Sequence, residues 1–524
     1  MTDSSCLSSA TRRTLLLTAL ALGSGALLLA GDRTISVRAA TQVRKGGVLR
    51  VGMADDIIVA GVPHVLLPAN IPLYNLVYDT LINYDQDGNA QPRLATDWAW
   101  SADSLELAVQ LRRGVRFHTG RPFTSDDARF NLERVRDPAV GSQMQNSARL
   151  MQVSTPAPDR LVIRFDTPAR STLDVLALTY MADPQTFDQT LAGQQFVGTG
   201  PFRFREWVPG DHLTAVANPD YWQTGKPYLD QVDLRVLPDQ QTGLAALEAG
   251  FVDFLIGAPG LDAQRLRGDA GHRVLLTGNG NTFYYLGLDV NTPGLADRRV
   301  RQAIGYALNR PRLVERALFG FGRPTSIPWP EQSFAYDSTL DQTYSYDPDR
   351  ARQLLAEAGW DADTVVPLAV ANGMPVAVQM AQIVQADLAN VGVQVALQTL
   401  SVPEFLGRLQ KAQMGGAWIV TMSFMNLSPG TLFMTAFAVR VPNPSNFASA
   451  HYQESIVSTL GAIDDQQLKQ GVQELTRIML DEAFIVLIAE GSGLQTGPVV
   501  ARANVQDVAW DKVSGFAYQD IWLS

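Results

Sequence analysis

"VVPLAVANGMPVAVQMAQIVQADLANVGVQVALQTL", residues 365–400, passes from an apolar run to a helical repeat and back to alternation. "VVPLAV" (365–370) is short, β-branched and bounded by polar residues, which predicts a buried strand. In "VQMAQIVQADLANVG" (378–392), Met380, Ile383, Val384 and Leu388 fall on one helical face, and Gly392 is placed to end the helix. "VQVALQTL" (393–400) alternates again, as a second strand does. Strand, helix and strand in so short a span form a βαβ unit, whose two strands must run parallel, and the chain is therefore expected to be an α/β protein.

The same grammar extends along the chain. "YDPDRARQLLAEAGW" (346–360) offers Asp347 as cap, Pro348 at the first helical position, Ala351, Leu354, Leu355 and Ala358 as the inner face, and Gly359 as the stop. "LADRRVRQAIGYALNR" (295–310) predicts an amphipathic helix with Val300, Ile304, Ala307 and Leu308 inward and Arg298, Arg299 and Arg301 toward solvent. Nearer the start, "KGGVLRVGMADD" (45–56) predicts a first strand opening into a loop with two aspartates. "LELAVQL" (105–111) alternates like a half-buried antiparallel strand after an Asp87-Gly88 turn. "TSDDARFNLERV" (124–135) follows as a helix capped by Thr124 or Ser125, with Ala128, Leu132 and Val135 on one face.

Composition restricts the function classes. The chain has 524 residues, 46% of them hydrophobic, which suits two or three domains with large cores. "ATRRTLLLTALALGSGALLLAGD" (10–32) sets two arginines before an apolar run that is too short and too glycine-broken to span a membrane, the layout of a twin-arginine export signal. Cleavage is expected after Ala39, with Ala40 the alternative, so residues 1–39 are read as leader. "LLLAGD" resembles a lipobox, but Asp32 occupies the position of the lipidated cysteine, and a soluble, non-lipidated exported protein is expected. Loss of the leader removes four arginines and two aspartates and lowers the net charge from −10 to −12, which argues against a nucleic-acid partner. It also removes Cys6, the only cysteine, and with it any disulfide or thiol chemistry.

Catalytic signatures are absent from the sequence: there is no HExxH, no phosphate-binding glycine loop and no GxSxG beyond the leader. His64, His118, His212, His272 and His451 lie far apart, with no pair at metal-ligand spacing on one element. No cofactor and no metal are expected, and "TGNGNTF" (277–283) reads as a loop before the strand "FYYLGL".

"LELAVQLRRGVRFHTGRPFTSDDARFNLERV" (105–135) resembles the signature of the family 5 extracellular solute-binding proteins, the dipeptide, oligopeptide and nickel-complex receptors of ABC importers. "VGTGPFRFREWVPGDHLTAVANPDYWQTGKPYLDQVDLRVLPD" (197–239), "YYLGLDVNTPGLADRRVRQAIGYALNRPRLV" (284–314) and "YDPDRARQLLAEAGW" follow in that family's order. The resemblance implies a two-lobed periplasmic-binding-protein fold with mixed sheets and a hinge. It places a first lobe at 45–280 with an extra subdomain at about 85–190, a second lobe at 281–490, and a return to the first lobe over 491–524.

The function implied is that of a monomeric, periplasmic, non-enzymatic receptor that captures a peptide or peptide-like solute and hands it to an ABC permease. A metal chelate or opine-like ligand is the alternative, and an exported hydrolase a remoter one. Ligand contacts carried over from the family fall on Met53, Ala54 and Asp55, on Asn281, Phe283 and Tyr284, and on the late loop from Met422 through Phe424 and Met425 to Asn426. Peptide receptors of the family tend to carry an aspartate in that loop, whereas residues 418–433 contain no acid and Met425 falls near its place. A ligand with an apolar or neutral end is therefore expected, unless Asp55 or Asp56 supplies the charge.

Overall fold

Val365–Ala371 and Gln394–Leu400 pair in parallel, from Val365 opposite Gln394 to Ala371 opposite Leu400, with the helix Pro375–Ala389 crossing between them. This computed structural model describes residues 43–85, 88–275, 282–423, 427–491, 498–509 and 515–524, and the backbone of 510 and 511. The leader and Asp87 lie outside the described residues. Met380, Val384 and Leu388 are buried on the crossover helix, while Ile383 is half-buried at the edge of that face. Gly392 follows with φ +87°, a conformation that a side chain would strain.

The βαβ unit forms one flank of a six-stranded sheet. Its order is Gly322–Pro324, Ile485–Gly491, Thr282–Leu288, Ala417–Ser423, Val365–Ala371, Gln394–Leu400. Thr282–Leu288 runs antiparallel to both of its neighbours, so the sheet is mixed. Every residue of that strand is buried, as a strand covered on both faces must be. Helices from 298 to 482 cover this sheet and share one core with it, built around Trp329, Trp418 and Phe484.

A second sheet of seven strands has the order His272–Leu275, Val499–Arg502, Phe254–Ile256, Val48–Met53, Gln231–Val236, His212–Ala217, Phe202–Val208. Its parallel pairings both involve the first strand, Val48–Met53, which lies between Gln231–Val236 and Phe254–Ile256. A separate antiparallel sheet of Ala95–Trp100, Glu106–Leu111, Arg160–Arg164 and Gln152–Ala157 packs with the helix Ser125–Arg136 into the same core as the seven-stranded sheet. That helix starts at Thr124, whose N–H and O–H donate to the Asp127 carboxylate at 2.8 and 3.0 Å.

The protein thus has two lobes, each a sheet with its own core, and the chain passes between them twice. It leaves the seven-stranded sheet at Leu275 and enters the six-stranded sheet at Thr282. It leaves the latter at Gly491 and re-enters the former at Val499. Leu275 pairs with Val499 and Thr282 with Gly491, so both passages start and finish side by side.

One expectation is corrected here. Arg298 and Arg299 are exposed on the helix Arg298–Ala307, but Arg301 is 2% exposed. Its guanidinium donates to the carbonyls of Leu295 and Ala296 at 2.8 Å each and to that of Glu482 at 2.8 Å. It also pairs with the Glu482 carboxylate at 3.1 Å. Glu482 is the last residue of the helix Asp465–Glu482, whose terminal carbonyls have no partner within the helix, and a buried cation there satisfies them.

Candidate functional site

In open α/β sheets, ligands bind outside the carboxyl ends of the strands. Here the carboxyl end of the first strand carries Met53, Ala54 and Asp55. Met53 is buried, Ala54 half-buried and Asp55 exposed. Asp56 is committed to the first lobe. It accepts from its neighbour Ile57 N–H at 2.7 Å, from the Trp207 indole at 2.9 Å and from Gly210 N–H at 2.7 Å. With three donors in place, Asp56 anchors the loop and has little capacity left for a ligand cation.

On the second lobe, the strand ends nearest the passages are Thr282, Ser423 and Gly491, which lie opposite one another. Phe283 pairs with Met422 and Glu490, and Tyr284 with Thr421 and Ala489. Successive residues of a strand point to opposite faces, so Phe283, Met422 and Glu490 share one face while Tyr284 belongs to the other. Phe283 is fully buried in the second-lobe core, and Tyr284 is 7% exposed, with burial pushing its hydroxyl up to about 12. Glu490 accepts from Arg323 at 3.1 Å, and Arg323 also pairs with Asp341 at 2.6 Å. The structure therefore brings Phe283 together with Met422 and turns Tyr284 away from both. Asn281, Phe424, Met425 and Asn426 lie outside the described residues.

The lobes meet directly just beyond that loop. The short helix Pro429–Thr435 sends Leu432 and Phe433 into the second-lobe core, with the Phe433 ring 6.1 Å from that of Trp329. Its other side, Thr431 and Met434, faces the first lobe. Thr431 O–H donates to the carboxylate of Asp174, and Ser428 N–H reaches the same carboxylate at 3.1 Å. Asn146 donates to the Met434 carbonyl at 3.2 Å. Leu427 is buried in the first-lobe core.

Asp174 sits on the first-lobe helix Thr172–Leu178, is fully buried, and also accepts from Tyr84 O–H at 2.7 Å. Burial pushes its carboxyl up to about 6, while the donors Thr431, Tyr84 and Ser428 pull the other way. A second junction is apolar: Phe321, from the turn between Arg310–Ala317 and Gly322–Pro324, packs with Leu244, Leu247 and Leu266 of the first lobe under the Arg267 guanidinium, 4.5 Å away. Asp174, Thr431 and Met434 are not among the residues the sequence singles out. The one readable sign is an acid inside the otherwise apolar "TLDVLAL" (172–178), since an acid there needs partners that only the folded lobes supply.

Two histidines are also buried. His64 donates from Nε2 to the Asn131 amide oxygen at 2.8 Å; His118 lies between Gly198 N–H at 3.5 Å and the Gly200 carbonyl at 3.0 Å. Burial holds both imidazoles down at about 4. Among the described residues no group of three His, Cys, Asp or Glu is placed to hold a metal ion, and no helix is long and apolar enough to cross a membrane.

Residues 89–443 match the family model described as "Bacterial extracellular solute-binding proteins, family 5 Middle". A putative ABC transporter peptide-binding protein of Brucella ovis is 26% identical over 462 residues, which cover 85% of this chain and 81% of that protein. The glutathione-binding protein GsiB of Pectobacterium atrosepticum is 27% identical over 438 residues, covering 79% and 83%. Among solved structures, the binding protein AgaA of A. tumefaciens R10 in complex with agropinic acid superimposes with a TM-score of 0.76 at 22% identity, covering 91% of this chain and 99% of that one.

Proposed function

The chain belongs to the family 5 bacterial extracellular solute-binding proteins, and from that premise we propose that it is the periplasmic receptor of an ABC importer, exported by its twin-arginine leader and not lipidated. It captures a peptide-like solute between its lobes and presents the closed form to a membrane permease, as a monomer and without catalysing a reaction. Among its relatives are one named for peptides and one named for glutathione, and AgaA is in complex with agropinic acid, which supports a reading that covers small solutes with amide and carboxylate groups. Two lobes joined at two adjacent passages support closure by hinge motion.

The ligand contacts proposed are Met53, Ala54 and Asp55 from the first lobe and Asn281, Phe283, Tyr284, Met422, Phe424, Met425 and Asn426 from the second. The observation that carries the choice of ligand is the commitment of the nearby acids. Asp56 is held by Trp207 and Gly210, and Asp174 by Thr431, Ser428 and Tyr84, in a neighbourhood whose late loop has no acid of its own. Among the described residues Glu490, on the face of Phe283 and Met422, is held by Arg323, which leaves exposed Asp55 to pair with an α-ammonium, and a desolvated charge without a partner is costly. Solutes with a blocked or neutral end, including opine-like conjugates, fit better.

Calorimetry with free and N-acetylated di- to pentapeptides tests this. The acetylated forms should bind at least as tightly as the free ones. Micromolar binding of free peptides that is abolished by acetylation overturns the ligand assignment and leaves the receptor assignment intact. Turnover of a peptide or ester by the purified protein, lost on one substitution in the cleft, overturns the latter.

A further inference from the structure

Asp174 occupies an unusual position between the lobes. It is fully buried and receives three donors from two separate elements: Tyr84 O–H from a first-lobe hairpin, and Ser428 N–H and Thr431 O–H from the second-lobe helix Pro429–Thr435 and its N-cap. Among the described residues none of its hydrogen-bond partners is a cation. Arg170, at the start of the same segment, pairs instead with the largely exposed Asp465 at 3.1 Å. The carboxylate is thus balanced by oriented dipoles, and two of the three belong to the opposite lobe.

The segment it holds is itself divided between the lobes. Leu427 is packed in the first-lobe core, Leu432 and Phe433 in the second, and Thr431 and Met434 lie one helical turn apart on the face toward the first lobe. Ser147 and Ser171 hydroxyls approach the Met434 sulfur at 3.9 Å each, and Asn146 reaches its carbonyl. The Ser428 and Thr431 bonds and the burial of Leu427 all lie on the contact between this segment and the first lobe.

We propose that Asp174 is a positioning residue for solute capture: across the lobe boundary it fixes Ser428 and Thr431, and so seats the segment that follows the late loop on the first lobe and biases the protein toward the closed arrangement even before a solute arrives. It touches no solute. Its effect reaches the ligand through residues 427–435, which continue directly from the proposed contacts at 422–426. The proposal rests on the receptor reading above and deepens it.

The test compares Asp174→Ala, Asp174→Asn and Thr431→Val with the unaltered chain by amide hydrogen exchange and small-angle scattering, without added solute. Asp174→Ala should speed exchange across residues 427–435 at least tenfold and increase the radius of gyration, while the strand Val365–Ala371 in the second-lobe core keeps its protection. Asp174→Asn should restore both, because its carbonyl accepts the same two bonds and its amide can donate to the Tyr84 oxygen. Thr431→Val should fall between. Normal protection of 427–435 in a folded Asp174→Ala protein overturns the proposal. So does loss of protection that spreads equally to Val365–Ala371, which means a general loss of stability, or a failure of Asn to rescue. None of these outcomes depends on which solute is bound, so the receptor reading is judged separately by the peptide series.

Discussion

Three buried titratable side chains pull the stability of this protein in opposite directions as pH falls. His64 and His118 are neutral in the folded state, held at about 4, whereas an unfolded imidazole takes up its proton near 6.5. Between those values the unfolded chain binds more protons, so the stability these residues contribute is present at neutral pH and lost as pH falls from about 6.5 towards 4. The upper limit is on the order of 3 kcal/mol for each imidazole. Asp174 has the opposite sign. Its folded value of about 6 lies above the ~3.9 of an unfolded aspartate, so over that interval the folded state binds more protons and gains stability on acidification. Among the described residues the groups facing it are the Tyr84 and Thr431 hydroxyls and the Ser428 amide, and no histidine or lysine is among them to reverse the sign. Asp174→Asn is therefore expected to lose more stability between pH 6.5 and 4 than the unaltered protein, read as a larger fall in the urea midpoint. Equal falls in the two proteins would mean that Asp174 does not titrate in this range.

At the scale of elements, burial of a single arginine separates two kinds of helix surface. Arg298 and Arg299 are exposed, and their ion pairs with Asp481 and Asp297 belong to the class usually worth less than about 1 kcal/mol. Arg301 donates to three backbone carbonyls, and its removal leaves them without partners, at roughly 1–3 kcal/mol for each buried group. Arg301→Met should lower unfolding free energy by about 3 kcal/mol or more. Arg298→Met and Arg299→Met should stay within about 0.5 kcal/mol. Comparable losses in all three would show that the buried guanidinium contributes no more than the exposed ones. Helical periodicity alone puts all three arginines on the polar side, because it cannot register a neighbouring helix end that needs donors. Where structure is local, the sequence is readable: Asp347, Pro348 and Gly359 bound their helix, and the 365–400 unit pairs in parallel around its crossover. Features that depend on distant partners are not. Nothing in "FYYLGL" says that its strand runs antiparallel to 417–423 and 485–491, and nothing at Ser428 or Thr431 marks Asp174, more than 250 positions earlier, as their acceptor. The candidate contact residues were accessible only through family resemblance, and the strand register then separates Phe283 from Tyr284.

At the scale of the whole molecule, the two lobes differ in how the chain builds them, and the difference can be measured. All six strands of the second-lobe sheet and the helices that cover it come from one stretch, 282–491. The first lobe is discontinuous: Val499–Arg502 lies inside its sheet, between His272–Leu275 and Phe254–Ile256, and pairs antiparallel with both. Val499, Val500 and Ala501 are fully buried there, and Val505, Phe516, Tyr518, Ile521 and Trp522 complete the covering of the core. At roughly 1.5–3 kcal/mol for each large apolar side chain buried, the loss of these residues forfeits an amount comparable with or above the ~5–15 kcal/mol by which a typical domain is stable. A fragment spanning 282–491 should therefore melt cooperatively on its own. A fragment spanning 43–275 should not, and adding a separate peptide of residues 498–524 should restore a cooperative transition by filling the interior strand position. Circular dichroism melts of the three samples decide the matter. Cooperative unfolding of 43–275 alone would show that the returning strand is dispensable to the first lobe.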